Sequence, residues 1–182
     1  MTGCANVKQL LKNRNVSIAI TVVVILLSIF GGSHRSLIAA SYSAEKNFTS
    51  IQQDLDTRIG LASNLQVVAS RYLAPGNDAL MELENAIDAL SNAQTANDKA
   101  KANQNLTAAT ERMDIELQGM ALSATDERYR TQIRMDLASY NQIIGHSKYN
   151  ELVERYNTEV LGKFPANVLA KLTGVPELES FR

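Results

Sequence analysis

Residues 16–32 read VSIAITVVVILLSIFGG and carry no charge. No other feature narrows the fold as much. Inside a bilayer each backbone N–H and C=O must find an internal partner, so a lone apolar run of this kind can only be a helix. From Asn15 to His34, between Arg14 and Arg35, there are 20 residues. At about 1.5 Å per residue they span roughly 30 Å, one hydrocarbon thickness. The flanking arginines can extend their heads to opposite interfaces.

Charge sets the expected orientation. Lys8, Lys12 and Arg14 precede the run and only Arg35 follows it closely. The positive-inside rule therefore keeps the N-terminus in the cytoplasm and places the rest outside. The expected organisation is a cytoplasmic basic N-terminus at 1–15, a transmembrane anchor at 16–35 and an exported body at 36–182. A cleaved signal peptide shares the basic start and offers Ala39 to Ser43 as small residues. Its apolar region would be shorter and its cleavage site closer. Cys4 follows no apolar segment, so it reads as a free cytosolic thiol or an acylation site near the membrane. Ser28, Gly32, Ser36 and Ala40 recur every four residues, a spacing that lets two membrane helices approach closely and would support homo-oligomers.

The body repeats helical periodicity. Ile51, Leu55, Ile59, Ala62, Leu65, Ala69 and Leu73 form one stripe of a helix from about Ser36, continuous with the anchor because no breaker intervenes. Pro75-Gly76 makes a turn, and Asn77 or Asp78 caps a second helix with Leu80, Leu83, Ile87 and Leu90 on one face. Asn97 can cap a third, with Leu106, Ala109, Met113, Leu117 and Met120. Ser123 and Asp126 have capping-box spacing. A fourth helix carries Tyr129, Ile133, Leu137, Tyr140 and Ile144, then Tyr149, Val153, Tyr156 and Val160 after a phase shift near Gly145. It would run about 55 Å. Pro165 stops it, and a short amphipathic helix follows whose Val168, Leu169 and Leu172 would dock on the bundle. Each body helix has one apolar stripe to bury. The expected fold is all-α, an N-terminal transmembrane helix followed by an elongated antiparallel bundle.

Chemistry is sparse. The two histidines, His34 and His146, lie in no metal or triad pattern, and phosphate-binding glycine loops are missing. One cysteine excludes an internal disulfide. No cofactor, metal or catalytic residue is expected, and the chain is not expected to be an enzyme. A net charge of -1 gives no footprint for nucleic acid. Arg128, Arg130 and Arg134 form a small basic patch that neighbouring acids would neutralise. The sequons at Asn47 and Asn105 read as chance.

The most specific pattern is near the C-terminus. Tyr149-Asn150 and Tyr156-Asn157 stand seven residues apart, followed by Phe164-Pro165, Asn167, Ala170, Gly174 and Phe181. This block resembles the C-terminal signature of the LemA family. Upstream, Arg58, Asn64 and Leu65 fall where that family has an Arg-rich segment leading into an Asn-Leu pair. Gly60 and Ser63 stand where the family has Asp and Pro. Ser139, Asn141 and His146 replace a Glu and two Arg. The resemblance implies a membrane-tethered helical bundle without established catalysis, in an envelope-maintenance or protease-accessory role. The tyrosine rings are expected in the core, with Asn150 and Asn157 setting helix register through side-chain hydrogen bonds.

The resulting expectation is a non-catalytic scaffold or interaction protein of the bacterial cell envelope. It would sit in the cytoplasmic membrane as a single-pass protein, N-terminus in and C-terminal domain out. Its partners would be the lipid bilayer and other membrane or envelope proteins. The alternatives are an accessory or regulator of a membrane protease and a helical-bundle ligand sensor.

Overall fold

A computed structural model describes residues 14–182. Cys4, Lys8, Lys12 and most of the expected N-terminal segment lie outside the described residues. Helices follow one another in the order α1 (Arg14–Ala69), α2 (Asp78–Asn92), α3 (Ala96–Gln118), α4 (Ala124–Gly145) and α5 (Tyr149–Arg155). A π-helical turn, Tyr156–Val160, and α6 (Ala166–Thr173) complete the order. There is no strand among the described residues, so the fold is all-α. Helix α1 runs unbroken for 56 residues, about 84 Å, through the apolar run and into the body.

The chain forms two compact units. One comprises the described residues up to Tyr42 together with Glu154–Leu178. The other comprises Ser43–Val153 and Glu179–Arg182. The division cuts across the expected exported body, because α6 clusters with the apolar part of α1.

In the larger unit, most residues of the stripes read from sequence in α1 and α2 are buried, with Ile59 and Leu80 only partly so. Ile51, Leu55, Ala62 and Leu65 of α1 share the core with Leu83, Ile87 and Leu90 of α2 and with Leu106, Met113 and Leu117 of α3. Helix α2 starts at Asn77, whose side chain accepts from the amides of Ala79 and Leu80. The preceding Gly76 has φ +89°, a conformation that disfavours any side chain. Only three residues link α2 to α3, so the two pack as antiparallel neighbours.

Several expectations are corrected. Thr95, not Asn97, caps α3, its side chain accepting from the Asp98 amide at 3.1 Å. Met120 lies beyond the end of α3 and is exposed. Tyr129 is 61 % exposed, because Asp126 and Arg130 take the inward positions on the first turns of α4. The long last helix is interrupted. Helix α4 ends at His146, whose amide donates back to Gln142 and Ile143, and α5 restarts at Tyr149. Gly145 and Ser147 supply the weak helix propensity that allows the break.

The smaller unit has its own apolar cluster of Leu37, Tyr156, Leu161, Ala166 and Ala170, with Ala40 and Val175 packed against it. Here the docking expected of Val168, Leu169 and Leu172 is found only in part, at Leu169, which is partly buried. Ala166 and Ala170 face inward, while Val168 is 39 % and Leu172 is 76 % exposed. The chain leaves α5 through the π-turn, where the Leu161 amide reaches the Tyr156 carbonyl at 2.8 Å. A Cβ on Gly162 would collide with the Thr158 carbonyl oxygen, so this exit needs glycine. Gly174 closes α6 at φ +68°, its amide donating to Ala170.

Candidate functional site: a buried arginine beside a polar groove

Among the described residues, the largest fully buried side chain is Arg58 of α1. It occupies the helix face between Leu55 and Ala62, where an aliphatic residue would satisfy the stripe. Its guanidinium has five N–H donors. Nη1 donates to Asn103 Oδ1 and, at 3.0 Å, to Asn141 Oδ1. Nη2 donates to Thr107 Oγ1 at 2.9 Å. Asn103 Nδ2 in turn donates to Asn141 Oδ1 at 3.1 Å. Three helices therefore meet at this side chain: α1 carries it, α3 supplies two neutral oxygens and α4 one.

The charge of Arg58 has no counter-ion among the described residues, and its Nε lacks a hydrogen-bond partner there. Burial pushes its pKa down to about 10, which leaves it charged at neutral pH. An unpaired buried cation is costly, and neutral dipoles offset only part of that cost. Asn141 stands at a position where the family resemblance predicts an arginine. A second cation there would repel Arg58, whereas the amide oxygen accepts from it.

Arg58 also lines a groove of about 490 Å³. Thr107, Thr110, Asn141 and Gln142 give it polar walls, and Leu65, Ile115 and Leu137 give it apolar ones. Asp114 in the groove is already held by Arg130 Nη1 at 2.5 Å and by Gln118 Nε2 at 2.8 Å. Arg134 stands 4.0 Å from Asp114 and remains mostly exposed. Glu111 lines the groove as well, so two acids, Glu111 and Asp114, stand beside the two cations Arg58 and Arg134. The arrangement brings together no nucleophile with a base, and among the described residues no group of three or more His, Cys, Asp or Glu could hold a metal.

A second polar knot joins the turn after α1 to the start of α4. Asp126 accepts from Tyr72 Oη at 2.6 Å, Arg71 Nη1 at 2.6 Å and Ser123 Oγ at 2.9 Å. These hydrogen bonds, that of Tyr72 foremost, hold its carboxyl below the usual range. Ser123 caps α4 as expected, accepting from the Asp126 amide at 3.1 Å. The return half of the capping box is replaced, since the Ser123 amide donates to Tyr72 Oη.

The Tyr-Asn pairs grip the C-terminal segment. Tyr149 donates to the Glu179 carbonyl at 2.7 Å, and its ring meets Phe48 at 5.0 Å between centroids. Burial pushes its hydroxyl pKa up, helped by the nearby Glu179 carboxylate. Asn150 accepts from the Phe181 amide at 2.8 Å and donates to the Phe181 carbonyl at 2.9 Å. Asn157 treats Leu178 in the same way, at 3.0 and 2.8 Å. Each asparagine thus pairs with both backbone groups of one residue, as a neighbouring strand would. These bonds reach across the chain, where the expectation had them setting register along the helix. Tyr156 is 1 % exposed in the small core.

The other singled-out residues scatter. Leu65 is buried and Asn64 exposed. Phe164 is 71 % exposed, joined to Pro165 by a cis peptide bond. Asn167 is partly buried on α6. Ser28, Gly32 and Ser36 lie exposed along α1, while Ala40 packs on the small cluster. Sequence reasoning marked Arg58 by resemblance but missed Asn103, Thr107 and Asn141. The signal for them was a set of polar residues at positions where α3 and α4 turn toward α1.

Residues 47–182 match the model of the LemA family. No curated protein matches the chain.

Proposed function

Because the chain belongs to the LemA family, we propose that it is a non-catalytic, membrane-anchored helical scaffold or interaction protein of the bacterial cell envelope. One observation carries the reading. The large apolar side chains from Ile18 to Ile29 are each 42–67 % exposed on a helix long and apolar enough to cross a membrane. Water is a poor home for such a row, since burying each side chain is worth about 1.5–3 kcal/mol. Lipid satisfies them, and Arg14 and Arg35 suit the two interfaces. The bundle then stands outside the cytoplasmic membrane as a surface for other membrane or envelope proteins.

Two measurements on intact cells test this. A membrane-impermeant thiol reagent should label Ser50→Cys from outside and leave native Cys4 unlabelled until lysis. Photo-crosslinking from the body should trap an identified envelope protein, with the adduct lost when residues 16–35 are deleted. A chain released by carbonate washing, or labelling in the reverse sense, overturns the anchor. A body that forms no reproducible adduct overturns the scaffold.

The groove beside Arg58 favours a second reading, a bundle that responds to a small anionic ligand. Its unpaired cation and its volume of about 490 Å³ suit a carboxylate with a short apolar body. Thermal stabilisation of the full chain by such carboxylates, abolished in Arg58→Met, supports it. No shift across a carboxylate panel removes it.

A further inference from the structure

Helix α6 is built inside out for a docked helix. Its buried residues are the small Ala166 and Ala170, Leu169 is partly buried, and Val168 and Leu172 are exposed. Val168 and Leu172 are four residues apart, so they share one face. Phe164, just before the helix, is 71 % exposed. Lys163 and Lys171 flank these residues, and no acid occurs between Glu159 and Glu177. The result is an apolar face with a basic margin.

Its position in the small unit gives that face a meaning. Ala166 and Ala170 pack with Leu37. Leu37 lies two residues beyond Arg35, a rise of about 3 Å past the end of the expected span. The headgroup layer on each side of a bilayer is roughly 5–7 Å deep. Helix α6 is therefore held at headgroup height by the helix that crosses the membrane. Lysines beside exposed Phe, Val and Leu match an interfacial segment, which sinks its apolar side chains to the acyl boundary and leaves its cations among phosphates.

We propose that Phe164, Val168 and Leu172, with Lys163 and Lys171, form a lipid-docking surface that lies on the anionic phospholipid headgroups of the bilayer crossed by α1. The inference rests on the membrane anchor proposed above. Docking would give the protein a second membrane contact beside its anchor.

The test uses the full chain with Cys4→Ser, reconstituted in phosphatidylcholine vesicles containing about a quarter phosphatidylglycerol. A fluorophore is attached at Leu172→Cys or, separately, at Val24→Cys. Leu172 is exposed, so the substitution leaves the packing intact. The expected result at Leu172→Cys is quenching by a shallow lipid-borne quencher, with access of aqueous iodide reduced about threefold relative to detergent-solubilised chain. Adding Lys163→Glu and Lys171→Glu should restore iodide access at Leu172→Cys and leave Val24→Cys unchanged. Free iodide access at Leu172→Cys, with Val24→Cys quenched by lipid, overturns the docking surface while the anchor stands. Shielding from both quenchers overturns it in favour of a second copy covering the face. An indifferent response to the two lysine substitutions overturns the role of headgroup charge. Failure of lipid to quench Val24→Cys overturns the anchor, and the docking surface with it.

Discussion

Asn157 holds Leu178 by both of its backbone groups, donating to the carbonyl at 2.8 Å and accepting from the amide at 3.0 Å. Only a side chain with a donor and an acceptor on one planar group can do this. Asn157→Asp keeps the size and loses the donor, and it sets a carboxylate against a carbonyl oxygen. The expected cost is about 1–3 kcal/mol of local stability. Hydrogen exchange should show faster exchange at the amides of residues 177–182, with α2 and α3 unaffected. Asn150→Asp should act on the Phe181 amide in the same way.

Arg58→Lys should destabilise the larger unit. Lysine keeps the charge, yet its single ammonium group cannot serve Asn103, Asn141 and Thr107 in the planes that the guanidinium reaches. Leaving one or two buried oxygens without a donor costs about 1–3 kcal/mol each. Urea unfolding should show a lower midpoint with an unchanged slope. A midpoint equal to the parent's would mean that the three bonds contribute nothing.

The pH profile should fall at both ends. Asp126 has a depressed carboxyl pKa, so its contribution is present above the ordinary carboxylate range, near about 4, and is lost as pH falls through the folded value. Tyr72→Phe removes the leading cause and should flatten the acid limb. Tyr149 has a raised hydroxyl pKa, so its contribution is full below about 10 and is lost as pH rises above it. Tyr149→Phe should remove part of the alkaline loss. Arg58 works in the opposite direction. Its depressed value of about 10 means that burial opposes folding below that pH and opposes it less above. Comparing Tyr149→Phe with the parent leaves the Arg58 effect common to both. Urea midpoints across the pH range would show whether the two limbs move independently.

Two glycines should behave differently from a third. Gly162→Ala drives a Cβ into the Thr158 carbonyl, and Gly174→Ala places alanine at φ +68°. Each should lower stability by about 1 kcal/mol or more. Gly60→Ala, in the interior of α1 with open space around it, should raise stability by about 0.5–1 kcal/mol. Thermal unfolding of the three variants in one detergent would rank them.

Much of the fold was legible because helical periodicity is local. Leu83, Ile87 and Leu90 announce their shared face within two turns of chain, and Asn77 announces its cap within three residues. The apolar run needs only its own length to declare a helix. The break at His146 was less legible. Gly145 hinted at it, but a phase shift can be met by a bend as well as by an interruption. Tyr129 misled because its spacing to Ile133 fits the stripe equally well, and the polar pair Asp126 and Arg130 occupies the inward positions through partners on other helices.

The sequence by itself determined the helices, their apolar faces, the turn at Gly76 and the family to which the Tyr-Asn repeat belongs. Those properties depend on neighbours within a few residues. Tertiary structure alone decided what the polar groups hold. Arg58 meets Asn103 and Asn141 across separations of 45 and 83 residues, and Asn157 meets Leu178 across 21. It also turned the alanines of α6 inward and Leu172 outward. Periodicity measures which residues share a face, but the choice of face belongs to whichever surface packs against it.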